Sequence, residues 1–156
     1  MSNTYLSFIV GDELFAVNVT KVLEVLQKQK ITPVPNTPDF IRGIINFRGE
    51  IVPVFETRIK FNLEPRDAAL SYVIMILDLQ TAESSVRVGA VVDKVKNVIT
   101  LDENEIKPVP PMSSKFNSEF LEGIVKLNND FILLLNVDKI FSDFEIIELT
   151  ETVKNQ

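Results

Sequence analysis

Two stretches of the chain superimpose at a fixed offset of eighty residues: Phe40-Ile41-Arg42-Gly43-Ile44-Ile45-Asn46-Phe47-Arg48-Gly49 falls on Phe120-Leu121-Glu122-Gly123-Ile124-Val125-Lys126-Leu127-Asn128-Asn129. The register holds through Ile51-Val52-Pro53-Val54-Phe55 on Phe131-Ile132-Leu133-Leu134-Leu135, then through Ile59, Lys60 and Phe61 on Lys139, Ile140 and Phe141. A repeat of this length marks a duplicated supersecondary unit whose copies bury a common kind of core. Differences between the copies then become the place to look for function. The first carries Asn46-Phe47-Arg48-Gly49 where the second has Lys126-Leu127-Asn128-Asn129, so the strands are shared while the polar turn chemistry is not.

Strand signals dominate both copies. Tyr5 to Val10 and Leu14 to Val17 flank Gly11-Asp12-Glu13 and read as a β-hairpin. Thr20 to Leu26 is short enough to be either helix or strand. Ile31-Thr32-Pro33-Val34-Pro35-Asn36-Thr37-Pro38 is an extended connector, because its prolines remove donors and bias the preceding residues away from helix. Gly43 to Phe47 and Glu50 to Phe55 are strands joined tightly at Arg48-Gly49, with Asn128-Asn129 at the matching turn, where asparagine tolerates positive φ. Ser71 to Leu79 and Val86 to Val92 open the second unit, and Ile106-Lys107-Pro108-Val109-Pro110-Pro111 echoes the first connector. Ser142 with Glu145 has the spacing of a capping box ahead of a short C-terminal helix. About five short strands per unit suit a small closed barrel better than an open sheet with long exposed edges. The reading is mainly β, two barrels side by side, with residues 1–66 as the first unit and 67–156 as the second with its C-terminal helix or tail.

Composition narrows the chemistry. A chain of 156 residues, 46% hydrophobic, can bury a substantial core. It contains no cysteine and no histidine, which removes disulfides, thiolate nucleophiles, the Ser-His triad and zinc sites built on nitrogen or sulfur. A net charge of −6 argues against nucleic acid, whose binding rests on neutralising phosphates. The charge is uneven: residues 1–63 hold seven basic and six acidic groups, whereas residues 64–156 hold nine and sixteen. Met1-Ser2-Asn3-Thr4 has no signal-peptide pattern, and Tyr72 to Leu77, the longest apolar run, is too short to span a bilayer. A soluble chain with no membrane insertion is expected. There is no Gly-x-x-x-x-Gly-Lys phosphate loop, and Asp102-Glu103-Asn104-Glu105 lacks the glycine-bearing calcium loop, so no cofactor or metal is expected.

The run from Ile31 to Val54 resembles the CheW family of bacterial chemotaxis coupling proteins: the proline connector, Phe40-Ile41-Arg42-Gly43, the Asn46-Phe47-Arg48-Gly49 turn and Ile51-Val52-Pro53-Val54. Val91-Val92-Asp93 and Leu133 to Lys139 resemble the family's later segments, so the likeness spans residues 4–142. Phe47 stands where leucine is usual, Glu56-Thr57-Arg58 replaces Asp-Leu-Arg, and Lys94-Val95-Lys96 is more basic than the family pattern.

The resemblance implies two pseudo-symmetric, five-stranded SH3-like barrels and a cytoplasmic, non-catalytic adaptor. Its implied partners are the regulatory domain of the histidine kinase CheA and the cytoplasmic tip of methyl-accepting chemoreceptors in membrane arrays, with an amphipathic receptor helix in the groove between the barrels. Carried over by position, Glu24 and Arg48 are an acidic and basic functional pair, Val22 and Gly43 match engagement positions, and Asn46 and Gly49 complete the turn motif. From the residues alone, Arg48 is also an ordinary turn residue, Gly43 and Gly123 answer to backbone shape, and Val22 to the core. Two other functions remain open: a coupling protein of another chemosensory system such as surface motility, and an enzyme using paired carboxylates.

Overall fold

A computed structural model describes residues 2–67, 70–82, 84–109 and 120–154. Among the described residues there are ten strands: β1 (Ser2–Val10), β2 (Glu13–Asn18), β3 (Val22–Gln27), β4 (Ile41–Phe47), β5 (Glu50–Glu56), β6 (Val73–Gln80), β7 (Ser85–Val92), β8 (Lys94–Asp102), β9 (Leu121–Leu127) and β10 (Asp130–Leu135). The single-turn helix α1 (Thr57–Lys60) follows β5, and α2 (Asp143–Lys154) ends the described chain. The ambiguous segment after β2 is a 3-10 turn, Val19–Lys21, running into a strand.

The strands form two five-stranded sheets, ordered β8-β1-β2-β10-β9 and β3-β6-β7-β5-β4. Shifting every label by five converts one order into the other, so the duplication is an approximate two-fold. Domain boundaries follow a different rule from the one expected. Units of 1–66 and 67–156 do not correspond to the sheets: the hairpin β1–β2 sits in the sheet of β8, β9 and β10, and β6–β7 sits with β3, β4 and β5. Each copy lends its first hairpin to the other. The exchange is made through parallel pairs, β2 with β10 at Phe15↔Leu133 and β5 with β7 at Val54↔Gly89. Sequence periodicity reports which residues are strands, not which copy a strand pairs with, and so leaves the exchange hidden.

Burial explains why the strands read as apolar runs without alternation. In β6, Ile74 and Ile76 point into the core of their own sheet, while Met75, Leu77 and Leu79 join a larger core between the sheets. β10 does the same, with Ile132 and Leu134 inside its own sheet and Leu133 and Leu135 in the shared core. Strands buried on both faces become continuously hydrophobic. The shared core is aromatic at its centre, where Phe61 lies 5.3 Å from Phe15 and 4.9 Å from Phe120 between ring centroids. Two distinct sheet cores therefore exist, as expected, with a third and larger one between them.

The matched turns and connectors repeat in detail. Arg48 and Gly49 have φ of 53° and 82°, Asn128 and Asn129 of 51° and 70°, the left-handed pairs that two-residue hairpins need. Thr32 exchanges backbone hydrogen bonds of 3.0 and 2.9 Å with Ile44, and Lys107 does so with Ile124 at 2.9 and 2.8 Å. Pro110 and Pro111 of the second connector lie outside the described residues. The capping box is formed: the Ser142 N–H donates to Glu145 Oε1 at 2.8 Å, and the Glu145 N–H donates to Ser142 Oγ at 3.1 Å. α2 runs for 12 residues and inserts Leu149 into the shared core.

Because neither half holds a complete sheet, a chain cut between residues 66 and 67 should lose cooperative unfolding in each fragment alone and regain it when the fragments are mixed, as followed by circular dichroism. A cooperative transition in isolated 1–66 would contradict the exchange.

Candidate functional site

Arg48 and Glu24 meet across the edges of one sheet. β3 and β4 stand at opposite ends of the order β3-β6-β7-β5-β4, which in a flat sheet would put them about 19 Å apart, beyond one side chain's reach. The Arg48 guanidinium nevertheless pairs with the Glu24 carboxylate, so the sheet curls until its edges approach, as a small barrel does. The guanidinium also lies 4.9 Å from the Phe47 ring centroid, where a cation is attracted to the ring face. Arg48 keeps 69% of its side chain exposed and Glu24 36%, so both remain accessible.

The other anticipated site residues divide between the Arg48 turn and the packing of the sheet. Asn46 Oδ1 accepts from the Gly49 N–H at 3.0 Å, which closes the turn that presents Arg48. Gly43 has a φ of 148°, and a Cβ there would lie 2.1 Å from the Thr32 carbonyl oxygen, so its first duty is the close approach of the connector to β4. Gly123 does the same in the second copy, 2.7 Å from the Lys107 oxygen. Val22 is half-buried against the shared core, and a bulge between it and Glu24 leaves Leu23 exposed. Glu24 and Arg48 are thus accessible to solvent, Asn46 and Gly49 shape the turn that carries Arg48, and Val22 and Gly43 answer to packing.

A buried ionic cluster went unnoticed in the sequence. Glu56 at the end of β5, Arg58 on α1, Arg66 in the linker and Asp93 between β7 and β8 are joined by Arg58 Nη2 to Asp93 Oδ2 at 2.6 Å, Arg66 Nη1 to Asp93 Oδ1 at 2.7 Å, and Arg66 Nη2 to Glu56 Oε1 at 3.0 Å. The Gly11 N–H, in the borrowed hairpin, donates to Asp93 Oδ2 at 2.8 Å. Asp93 is where the chain leaves one sheet for the other, so the cluster ties the crossover, the linker and the exchanged hairpin together. Burial acts to raise the Asp93 carboxyl, but donors from Arg58, the Gly11 backbone and Arg66 together hold it below its ordinary value. A carboxylate directly after an apolar run, as in Val52-Pro53-Val54-Phe55-Glu56 and Ala90-Val91-Val92-Asp93, was the available signal.

Among the described residues no group of three or more acidic side chains could hold a metal ion, and no helix is long and apolar enough to cross a membrane.

Two five-stranded sheets with exchanged hairpins, one of them closed at its edges by the pair of Glu24 on β3 and Arg48 on a tight turn, define a double β-barrel fold. The model of the CheW-like domain matches residues 4–145, and the chain belongs to that family. Among its relatives, the chemotaxis protein CheW of Klebsiella aerogenes is 30% identical over 151 residues, covering 97% of this chain and 89% of that one. Protein FrzA of Myxococcus xanthus is 33% identical, covering 87% and 83%. The crystal structure of the scaffolding protein TtCheW from Thermoanaerobacter tengcongensis superimposes with a TM-score of 0.80 at 33% identity, covering 91% of this chain and 89% of that one.

Removing the Asp93 charge leaves Arg58 and Arg66 short of a partner, and Asp93→Asn should cost roughly 3 kcal/mol at neutral pH. Because the folded carboxyl titrates below its unfolded value, its stabilisation is fully present above the unfolded value and is lost as pH falls through the folded one. Wild-type stability should therefore drop more steeply than that of the variant on acidification below about pH 4, as read from denaturant midpoints. Parallel acid profiles for the two proteins would exclude this role. Gly43→Ala should separately be far more destabilising than Gly11→Ala, since a Cβ at Gly11 meets nothing within 4 Å.

Proposed function

We propose that the chain is a cytoplasmic adaptor that couples the cytoplasmic tip of methyl-accepting chemoreceptors to the regulatory domain of the histidine kinase CheA. The observation that carries this reading is the CheW-like match across residues 4–145, joined to relatives named as chemotaxis and scaffolding proteins. The site geometry supports it. The turn whose chemistry differs between the copies presents an exposed arginine on a backbone fixed by Asn46 and Gly49, and rigid presentation lowers the entropic cost of binding. Arg48 and Glu24 form the contact pair in this proposal, with Val22, Gly43, Asn46 and Gly49 shaping the surface. The shared core fills the space between the sheets, so a receptor helix lies along the rim of that seam, with its apolar anchors against it.

The relative named FrzA favours a second reading, the same adaptor role in a differently named chemosensory pathway. Affinity for receptor and kinase fragments taken from each pathway of the same organism separates the two.

Arg48→Ala should cost no more than about 1 kcal/mol of stability, since exposed ion pairs contribute about 0–1 kcal/mol. Binding should fall by about thirtyfold, the equivalent of roughly 2 kcal/mol for an arginine truncated at a desolvated interface. Arg48→Lys keeps the charge but loses the planar fork, and should restore binding only in part. Thermal unfolding, run beside titrations with the kinase regulatory domain and a receptor hairpin fragment, checks both expectations. Unchanged affinity for both partners would reduce Arg48 to a turn residue.

A further inference from the structure

At the far end of β4 from Arg48, a cleft of about 500 Å³ has a charge that the barrel does not require. Arg42 and Arg48 are separated by about 20 Å of extended strand, so the cleft is a separate surface from the Glu24–Arg48 pair. Three cations surround one ring there: Lys28 Nζ and the Arg42 guanidinium each lie 5.3 Å from the Tyr72 centroid, and the Arg66 guanidinium 5.8 Å. Among the lining residues the single carboxylate is Glu56, which accepts from Arg42 at 3.1 Å and from Arg66 at 3.0 and 3.1 Å. Arg66 is further engaged with Asp93 at 2.7 Å.

The lining thus carries two more positive than negative charges, in a chain whose net charge is −6. Arg42 donates to Glu56 through Nη1 with 35% of its side chain exposed, and a guanidinium has five N–H donors to offer. Ile59 and Leu70, at 37% and 46% exposure, add apolar surface beside the cations.

Duplication supplies an internal control. At the positions of the second copy equivalent to Arg42, Glu56 and Ile59 stand Glu122, Asn136 and Lys139, although that copy builds the same strands and turn. The cationic cluster is therefore an addition to the fold and not one of its conditions.

We propose that this cleft binds an acidic, aliphatic segment of a partner protein, with a carboxylate seated between Lys28 and Arg42 and an aliphatic side chain two residues away against Ile59 and Leu70. Charge complementarity selects the acid, since a carboxylate receives charge-assisted hydrogen bonds from both cations. The exposed aliphatic pair selects its neighbour. The site adds a second contact surface to the adaptor and does not depend on which receptor or kinase is bound at Arg48.

The test uses the full chain labelled for NMR, titrated with an acetylated, amidated tripeptide of glutamate, glycine and leucine. Saturable shifts at Arg42, Glu56, Ile59 and Tyr72 are expected. The tripeptide with glutamine for glutamate should bind about tenfold more weakly, the loss of one charge-assisted contact. Lys28→Gln should weaken the acidic peptide to a similar degree with an unchanged unfolding temperature, and Arg48→Ala should leave this titration unaltered, which separates failure here from failure of the adaptor reading. Equal binding of the glutamine peptide, or insensitivity to Lys28→Gln, would overturn the proposal. So would inorganic phosphate binding as tightly as the tripeptide, with glycine in place of leucine making no difference, since the cleft would then hold small anions and not a protein segment.

Discussion

Each sheet takes its central hairpin from the other copy of the repeat, and this exchange is the constraint on which the remaining structure depends. The strands it places in the middle, β6–β7 in one sheet and β1–β2 in the other, are covered on both faces, by their own sheet's core and by the core between the sheets. Burying a large apolar side chain contributes about 1.5–3 kcal/mol, and here the largest core is built from residues of both copies. The exchange also creates a difficulty: the chain must cross between sheets twice, after β2 and after β7, and at the second crossing Asp93 carries a charge inward. The difficulty is met by surrounding that charge with Arg58, Arg66 and the backbone N–H of Gly11, so the crossover is fastened to the very hairpin that was exchanged. A buried ionic cluster adds less net stability than well-packed hydrocarbon would, but it is strongly directional. Direction is what a crossover needs.

Much of this was legible in the sequence because repetition samples the same physics twice. Arg48-Gly49 and Asn128-Asn129 look unlike each other, yet both tolerate the left-handed backbone of a two-residue turn, and both turns form. Gly43 and Gly123 stood at equivalent positions for a backbone reason, and the close oxygens of Thr32 and Lys107 supply it. Ser142 and Glu145 cap α2 as their spacing suggested. The sheet partners were not legible, because an alternation pattern is satisfied equally by a strand in its own copy or in the other. The ionic cluster escaped for a related reason. Its members are spread from Glu56 to Asp93, and only the folded crossover brings them together.

Among the site residues, the resemblance singled out six positions and the geometry divides them by task. Glu24 and Arg48 are displayed, while Val22, Gly43, Asn46 and Gly49 each have a structural reason to be what they are. That division changes how substitutions at these positions are to be understood. A change at Gly43 that weakens partner binding is not evidence of contact, because it forces a Cβ against the Thr32 carbonyl and moves the connector and β4 together. Changes at Glu24 and Arg48 leave the turn bond and the connector contact intact.

The arginines of the first copy show how one side-chain type is put to opposite uses by burial alone. Arg58 and Arg66 have less than a tenth of their side chains exposed and are consumed by carboxylates inside the molecule, so their planar forks fix the fold. Arg48, 69% exposed and resting on Phe47, is partnered by a residue that is itself accessible, so its donors can be passed to an incoming carboxylate at small internal cost. Arg42 stands between these cases, one edge on buried Glu56 and a third of its surface free. The second copy, with Glu122 for Arg42, Asn128 for Arg48 and Asp138 for Arg58, repeats the strands with none of these cations. Duplication thus kept the hydrocarbon that closes each sheet and let the charges diverge, which leaves both Arg42 and Arg48 on the barrel built around β3, β4 and β5.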